Sequence, residues 1–157
     1  MFSNKIENIF FPTTIDNTVG LMNLIHKAVG PNNFRNIHPE INPERFKIGN
    51  GARKVNLELA PFLNDENGKQ AANRLMTDGY NLEGIGELAQ FMADNQGEVG
   101  RYVLVIALSE ASRWTASDGD VFVPYAFVIG ANRYFSLCGF RDQFGSNPRV
   151  LVSRPGK

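Results

Sequence analysis

Glu110 and Arg113 close the run Tyr102-Val103-Leu104-Val105-Ile106-Ala107-Leu108-Ser109-Glu110-Ala111-Ser112-Arg113-Trp114, which sets a carboxylate and a guanidinium directly after an apolar stretch. If the segment is helical, a spacing of three puts both side chains on one face, within pairing reach. Desolvating such a pair at the end of a buried element is costly, and that marks it as a candidate site. A fixed anion beside a fixed cation can stabilise charges that separate as a bond breaks. The competing reading is a structural ion pair that closes a core element. The element itself has two readings, because residues 102–108 are rich in β-branched side chains and short enough for a buried strand. Periodicity alone does not separate that from a buried helix.

Ser109-Glu110-Ala111-Ser112-Arg113-Trp114, following its aliphatic segment, resembles the Ser-Glu-Ala-Ala/Ser-Arg-aromatic signature of the ribosome-inactivating proteins, the rRNA N-glycosidases. The resemblance implies a helix carrying Glu110 and Arg113, and removal of one adenine from large-subunit ribosomal RNA without a cofactor. The ribosome is then the expected partner. Breaking the glycosidic bond develops positive charge on the ribose and negative charge on the departing base. In the implied roles Glu110 stabilises the oxocarbenium ion and helps activate water, while Arg113 assists departure of the base. An extruded base must also be held, which RNA-binding proteins do by aromatic stacking. Of the four tyrosines, Tyr80 is the expected stacking residue, since Asp78-Gly79-Tyr80-Asn81-Leu82-Glu83 resembles, with one residue fewer between tyrosine and leucine, the Tyr-x-x-Leu-Glu context of a family tyrosine. Its competing reading is a packed ring with its hydroxyl in a turn. Tyr134, in Asn132-Arg133-Tyr134-Phe135-Ser136-Leu137, blurs the Asn-x-Trp-x-x-Leu-Ser context of the tryptophan under the family's pocket and is taken to stand in for it. Trp114 occupies the aromatic position after the arginine, as a packing residue at the border of substrate binding. Tyr102 lies more than two helical turns before Glu110 and is expected in the core. The similarity spans the N-terminal strand and helix, residues 80–82 and residues 98–114, so the chain reads as a shortened or divergent member.

Composition sets the bounds. A chain of 157 residues with 43% hydrophobic content is large enough for one domain with a genuine core and too short for two. Sixteen basic residues balance sixteen acidic ones, so RNA binding must come from local arginine placement rather than a global field. Arg133, Arg141, Arg149 and Arg154 bias the C-terminal third positively and could follow an RNA backbone. The single Cys138 excludes an internal disulfide framework and reads as a small buried hydrophobe rather than a nucleophile. His26 and His38 stand apart, with no metal-ligand spacing, so no metal is expected. Gly49-Asn50-Gly51 lacks the lysine and hydroxyl residue of a phosphate loop and reads as a turn. No stretch has the length of a membrane span, and no signal peptide is visible at the N-terminus. The expected site of action is the cytosol of a target cell, reached with a leader already removed or by another route.

The elements that must position these residues form an α+β pattern in one domain over residues 1–157, with helices clustered centrally and strands toward both ends. The sequence predicts a strand over 6–11 closed by Pro12, and a helix capped by Thr14 or Asp16 that ends at 30–31. A loop with one edge strand near 46–48 follows, then a half-buried strand over 54–59, a turn at 64–68 and a helix over 69–76. A second amphipathic helix runs to Asp94, with Ile85, Leu88, Ala89, Phe91 and Met92 apolar. Past the motif, a loop over 115–120 leads to strands over 121–129 and 150–153.

Overall fold

The computed structural model describes residues 9–155 except Pro31, Asn64 and Val103. Of the predicted first strand, residues 6–8 lie outside this range. The chain is α+β, with its strands joined in one sheet. In chain order the elements are β1 (Phe11–Asp16), α1 (Leu21–Val29), β2 (Ala52–Pro61), α2 (Gly68–Thr77), β3 (Asn81–Leu82), α3 (Ile85–Asp94), α4 (Gln96–Gly100), β4 (Val105–Ile106), β5 (Trp114–Thr115), β6 (Val121–Ile129), β7 (Asn132–Gly139) and β8 (Arg149–Ser153).

Apolar alternation explains the layering. Along β4 and its extension, Val105 and Ala107 join a core with Leu24, Ile25 and Ala28 of α1 and Leu88, Phe91 and Met92 of α3. Ile106 and Leu108 join a second core with Ala71, Ala72 and Leu75 of α2. Successive strand side chains point to opposite faces, so the sheet is sandwiched between α1/α3 and α2. A strand covered on both faces reads as an unbroken apolar run, which is why this segment is extended rather than helical. The expected helix carrying Glu110 and Arg113 is therefore absent. Val105–Ile106 is a strand, and Glu110–Ser112 is a single 3-10 turn.

Other departures have local causes. The first strand begins at Phe11, where the expected one ended: residues 9 and 10 are not in it, and β1 runs through Pro12 to Asp16, because among the described residues β1 pairs only with β2 and an edge strand tolerates a missing N–H. Asp16 caps a 3-10 turn, Asn17–Val19, through the Thr18 amide at 3.0 Å, and Gly20 at φ 86° then starts α1. No strand forms at 46–48, where Phe46 is anchored in the core from a loop. The segment 132–139, read only for Tyr134, is strand β7, paired along its whole length with β6.

The start of α2 is held by Asn67, whose side chain accepts from the Gln70 amide while the Gln70 side chain accepts from the Asn67 amide. Just before it, Glu66 accepts from Arg74 Nε at 2.7 Å and from the Leu63 amide at 2.9 Å. The Arg74 guanidinium holds the Glu66 carboxyl below its usual value of 4.5. A depressed carboxylate stabilises the fold fully above its unfolded value and loses that contribution as pH falls through the lower folded value. Arg74→Gln should therefore flatten the fall in melting temperature below about pH 4.5, relative to the parent chain. Parallel acid-melting curves for the two would show that the Arg74 pairing contributes nothing to the pH dependence.

Candidate functional site

β4 lies between β8 and β6. It is parallel to β8, with Ile106 opposite Val150, and antiparallel to β6, with Ile106 opposite Tyr125. Beyond Ile106 the two neighbours take separate partners. β8 continues against β3, with Leu82 opposite Val152, and β6 continues against β5, with Trp114 opposite Phe122. The sheet thus forks at the carboxyl end of β4, and the segment 107–113 spans the fork. Its Ala107 amide donates to the Pro124 carbonyl on one side at 3.0 Å, and its Ser109 amide donates to the Glu83 carbonyl on the other at 3.2 Å. Crevices at the carboxyl ends of strands, where neighbours part, are common ligand sites in open sheets.

Here the crevice is a cleft of about 390 Å³ lined by Asn73 and Met76 of α2, by Tyr80, Asn81 and Leu82, and by Ser109, Glu110 and Arg113. That volume falls within the roughly 300–1,000 Å³ of small-molecule sites. The structure brings Glu110, Arg113 and Tyr80 together on its wall. Arg113 follows the Glu110–Ser112 3-10 turn in an extended conformation, yet it stays close enough for the Glu110 carboxylate to act on its guanidinium.

The two charges differ in how they are held. Arg113 donates from Nε and from one terminal nitrogen to the Leu108 carbonyl, at 3.1 and 3.0 Å, and its guanidinium carbon sits 4.4 Å from the Phe140 ring centre. Burial lowers its proton affinity, and the nearby Glu110 carboxylate opposes that. Glu110 is exposed; its carbonyl accepts from the Arg113 amide at 3.2 Å, while its carboxylate makes no hydrogen bond or direct ion pair among the described residues. Tyr80 is half-buried, and its hydroxyl accepts from Arg154 at 3.2 Å. Arg154 in turn donates to Glu58 at 3.0 Å.

The serines of the motif have separate duties. Ser112 is fully buried and its hydroxyl accepts from the Ile85 amide at 2.8 Å. It thereby caps α3 from a distant part of the chain, because Gly84 at that helix start has no side chain to do so. A Cβ on Gly84 would lie 2.9 Å from the hydroxyl oxygens of both Ser109 and Ser112. The glycine leaves the room in which the motif turn docks.

Two expected site residues are elsewhere. Trp114 packs toward the α1/α3 core, with Phe122 at 5.6 Å and the Arg45 guanidinium at 4.2 Å from its ring. Tyr134 on β7 stacks on Phe127 at 4.8 Å, and Phe127 stacks on Tyr125 at 5.5 Å. Neither lines the cleft, because strand alternation and the β6/β7 hairpin carry them away from it. Tyr102 is half-buried beneath Arg149, 4.6 Å from its ring centre. Asn73, Met76 and Ser109 were not foreseen as cleft residues. No local signal marks the first two, since α2 reaches the cleft only through packing on the sheet.

Cys138 is 3.8 Å from the Val123 carbonyl, and burial pushes its thiol up to about 12. A thiol at that value stays protonated at neutral pH and is a poor nucleophile. Among the described residues no group of His, Cys, Asp and Glu could hold a metal ion, and no helix is long and apolar enough to cross a membrane. Comparison of the chain with protein-family models, with curated proteins and with solved structures finds no match.

Proposed function

We propose that this chain is an rRNA adenine N-glycosidase whose reaction takes place in the cleft at the forked end of β4. The observation that carries the reading is the convergence of Glu110, Arg113 and Tyr80, distant in sequence or in backbone type, on one cleft wall. Each meets a separate demand of the reaction. The Tyr80 ring offers a face on which an extruded adenine stacks. Arg113, fixed by the Leu108 carbonyl, presents its remaining donors to the purine, where negative charge grows as the bond between C1′ and N9 lengthens. Glu110 faces the ribose, stabilises the oxocarbenium ion and accepts a proton from the water that adds to C1′. The products are a ribose whose C1′ carries the water's hydroxyl and free adenine, which takes up, by way of solvent, the equivalent of the proton that Glu110 removed from the water, so that Glu110 ends as a carboxylate again.

The decisive experiment is to incubate the purified protein with ribosomes and to quantify free adenine by chromatography. Release of about one adenine per ribosome, as the motif resemblance implies, is the expected result. None at any concentration would overturn the reading. One observation favours a second reading, a non-enzymatic binding or structural protein. Two Arg113 nitrogens are committed to the chain's own Leu108 carbonyl, as they would be in a residue that only fixes its turn.

Tyr80 supplies a graded test. Tyr80→Phe keeps the ring and should retain most activity, although it loses the bond from Arg154. Tyr80→Ala should lose on the order of 1–3 kcal/mol of transition-state stabilisation, the usual worth of a base–aromatic stack. Both variants should be melted beside the parent chain. Tyr80→Ala that melts normally and depurinates at the parent rate would remove Tyr80 from the site.

A further inference from the structure

A second cleft adjoins the first. It has a volume of about 330 Å³ and is lined by Arg53, Lys54, Val55, Asn56, Asn81, Ser153 and Arg154. Asn81 belongs to both clefts, and Arg154 on this side donates to the hydroxyl of Tyr80 on the other. Among the described residues no carboxylate lines it. The acids that neutralise its arginines lie behind it, with the side chains of Glu83, Glu87 and Glu58 only 3%, 12% and 8% exposed, whereas Arg53 and Arg154 are 41% and 46% exposed. Glu83 accepts from Arg53 at 2.8 Å and from the Ser153 hydroxyl at 2.5 Å, so the buried network sets the outward aim of the cationic wall. Arg53 Nε and one terminal nitrogen of Arg154 make no hydrogen bond to protein among the described residues. Lys54 is exposed, and its ammonium has neither a hydrogen bond nor an ion pair among them.

We infer that this second cleft binds the phosphodiester backbone of an RNA strand, next to the nucleotide whose base enters the first cleft. The inference rests on the glycosidase reading for the choice of RNA over another polyanion. Guanidinium donors and an ammonium, on a wall where the described residues include no acid, are suited to phosphate oxygens, while amides such as Asn56 and Asn81 add neutral donors. Of the four C-terminal arginines, Arg154 alone lines either cleft. Arg149 instead donates to the carbonyls of Ser146, Asn147 and Pro148.

The test measures binding of a short fluorescent oligouridylate by anisotropy over a sodium chloride series. Engagement of about three phosphates by the three cations predicts a slope of log K against log salt near −2, at about 0.7 per contact on a single strand. Lys54→Ala should weaken that slope by about 0.7, and Lys54→Glu should weaken it further, with unchanged melting of both. No binding at low salt, or the same slope in Lys54→Glu, would overturn the inference. Inorganic phosphate that displaces the strand as well as unlabelled oligouridylate does, at equal phosphate concentration, would also overturn it, because the site would then serve a free anion. Oligouridylate contains no adenine, so its binding is independent of base removal. Lys54-sensitive binding by a protein that releases no adenine would keep the RNA groove and sink the glycosidase reading. Adenine release with no Lys54-sensitive binding would do the reverse.

Discussion

Glu110→Gln should reduce adenine release by a factor of about 10² to 10³, the range seen when one preorganised electrostatic stabiliser of a transition state is removed. The substitution keeps the shape of the side chain and removes only its charge. Because Glu110 is exposed and its carboxylate gives up only its through-space attraction to Arg113, with no hydrogen bond or direct ion pair among the described residues, stability should change by less than about 0.5 kcal/mol. Activity and fold are therefore separable at this residue. They are not separable at Arg113, whose removal frees the Leu108 carbonyl and uncovers Phe140. The measurement is a single-turnover rate on ribosomes beside a melting curve. Glu110→Gln that depurinates at the parent rate would exclude this carboxylate as the charge that stabilises the ribose cation, and the proposed chemistry would fail with it.

Arg53→Ala should be the most destabilising of the substitutions considered. It removes the cation that donates to Glu83 at 2.8 and 3.4 Å and forms an ion pair with Glu87 at 3.3 Å, and leaves the buried Glu83 carboxylate with the Ser153 hydroxyl as its remaining side-chain donor. Breaking one side of a buried pair costs roughly 3–5 kcal/mol, and the partial exposure of Arg53 puts this case near the lower end, at about 3 kcal/mol. In a domain of this size that corresponds to a fall of about 6–12 °C in melting temperature. The damage should reach the cleft, since the Glu83 carbonyl accepts from the Ser109 amide of the motif turn. Adding Glu83→Gln should recover part of the loss, because a neutral amide is cheaper to bury than an unpaired carboxylate. Arg53→Ala that melts within about 1 °C of the parent would mean that the pair contributes no more than a surface ion pair.

Sequence alone determined the elements with strong local signals. The helical spacing of Ile85, Leu88, Ala89, Phe91 and Met92 gave α3, which ends at Asp94 as read, and that of Val19, Leu21, Leu24, Ile25 and Ala28 gave the end of α1 but not its start, since Val19 lies in a separate 3-10 turn and α1 begins at Leu21. The bounds of β6 at Val121 and Ile129 followed from a β-branched and aromatic run, and Pro124 sits where the side of β6 facing β4 passes from β5 to β4. The α+β class and the candidates Glu110, Arg113 and Tyr80 were legible for the same reason, as residue types in short contexts.

Tertiary structure decided what those contexts cannot encode. Residues 105–108 are extended because apolar layers cover both faces of the sheet, and an apolar run by itself suits a buried helix equally well. The cleft exists because β8 and β6 part company beyond Ile106, a pairing set by strands some twenty to fifty residues away. Tyr134 and Trp114 looked like site residues from their neighbours in sequence, yet strand register sends one to the β6/β7 stack and the other toward the opposite core. Ser112 is a helix cap only because Gly84 is brought against it from another part of the chain. Local patterns carry propensity and chemistry. Which residues share a cleft depends on long-range strand pairing and on the two-sided burial that pairing creates.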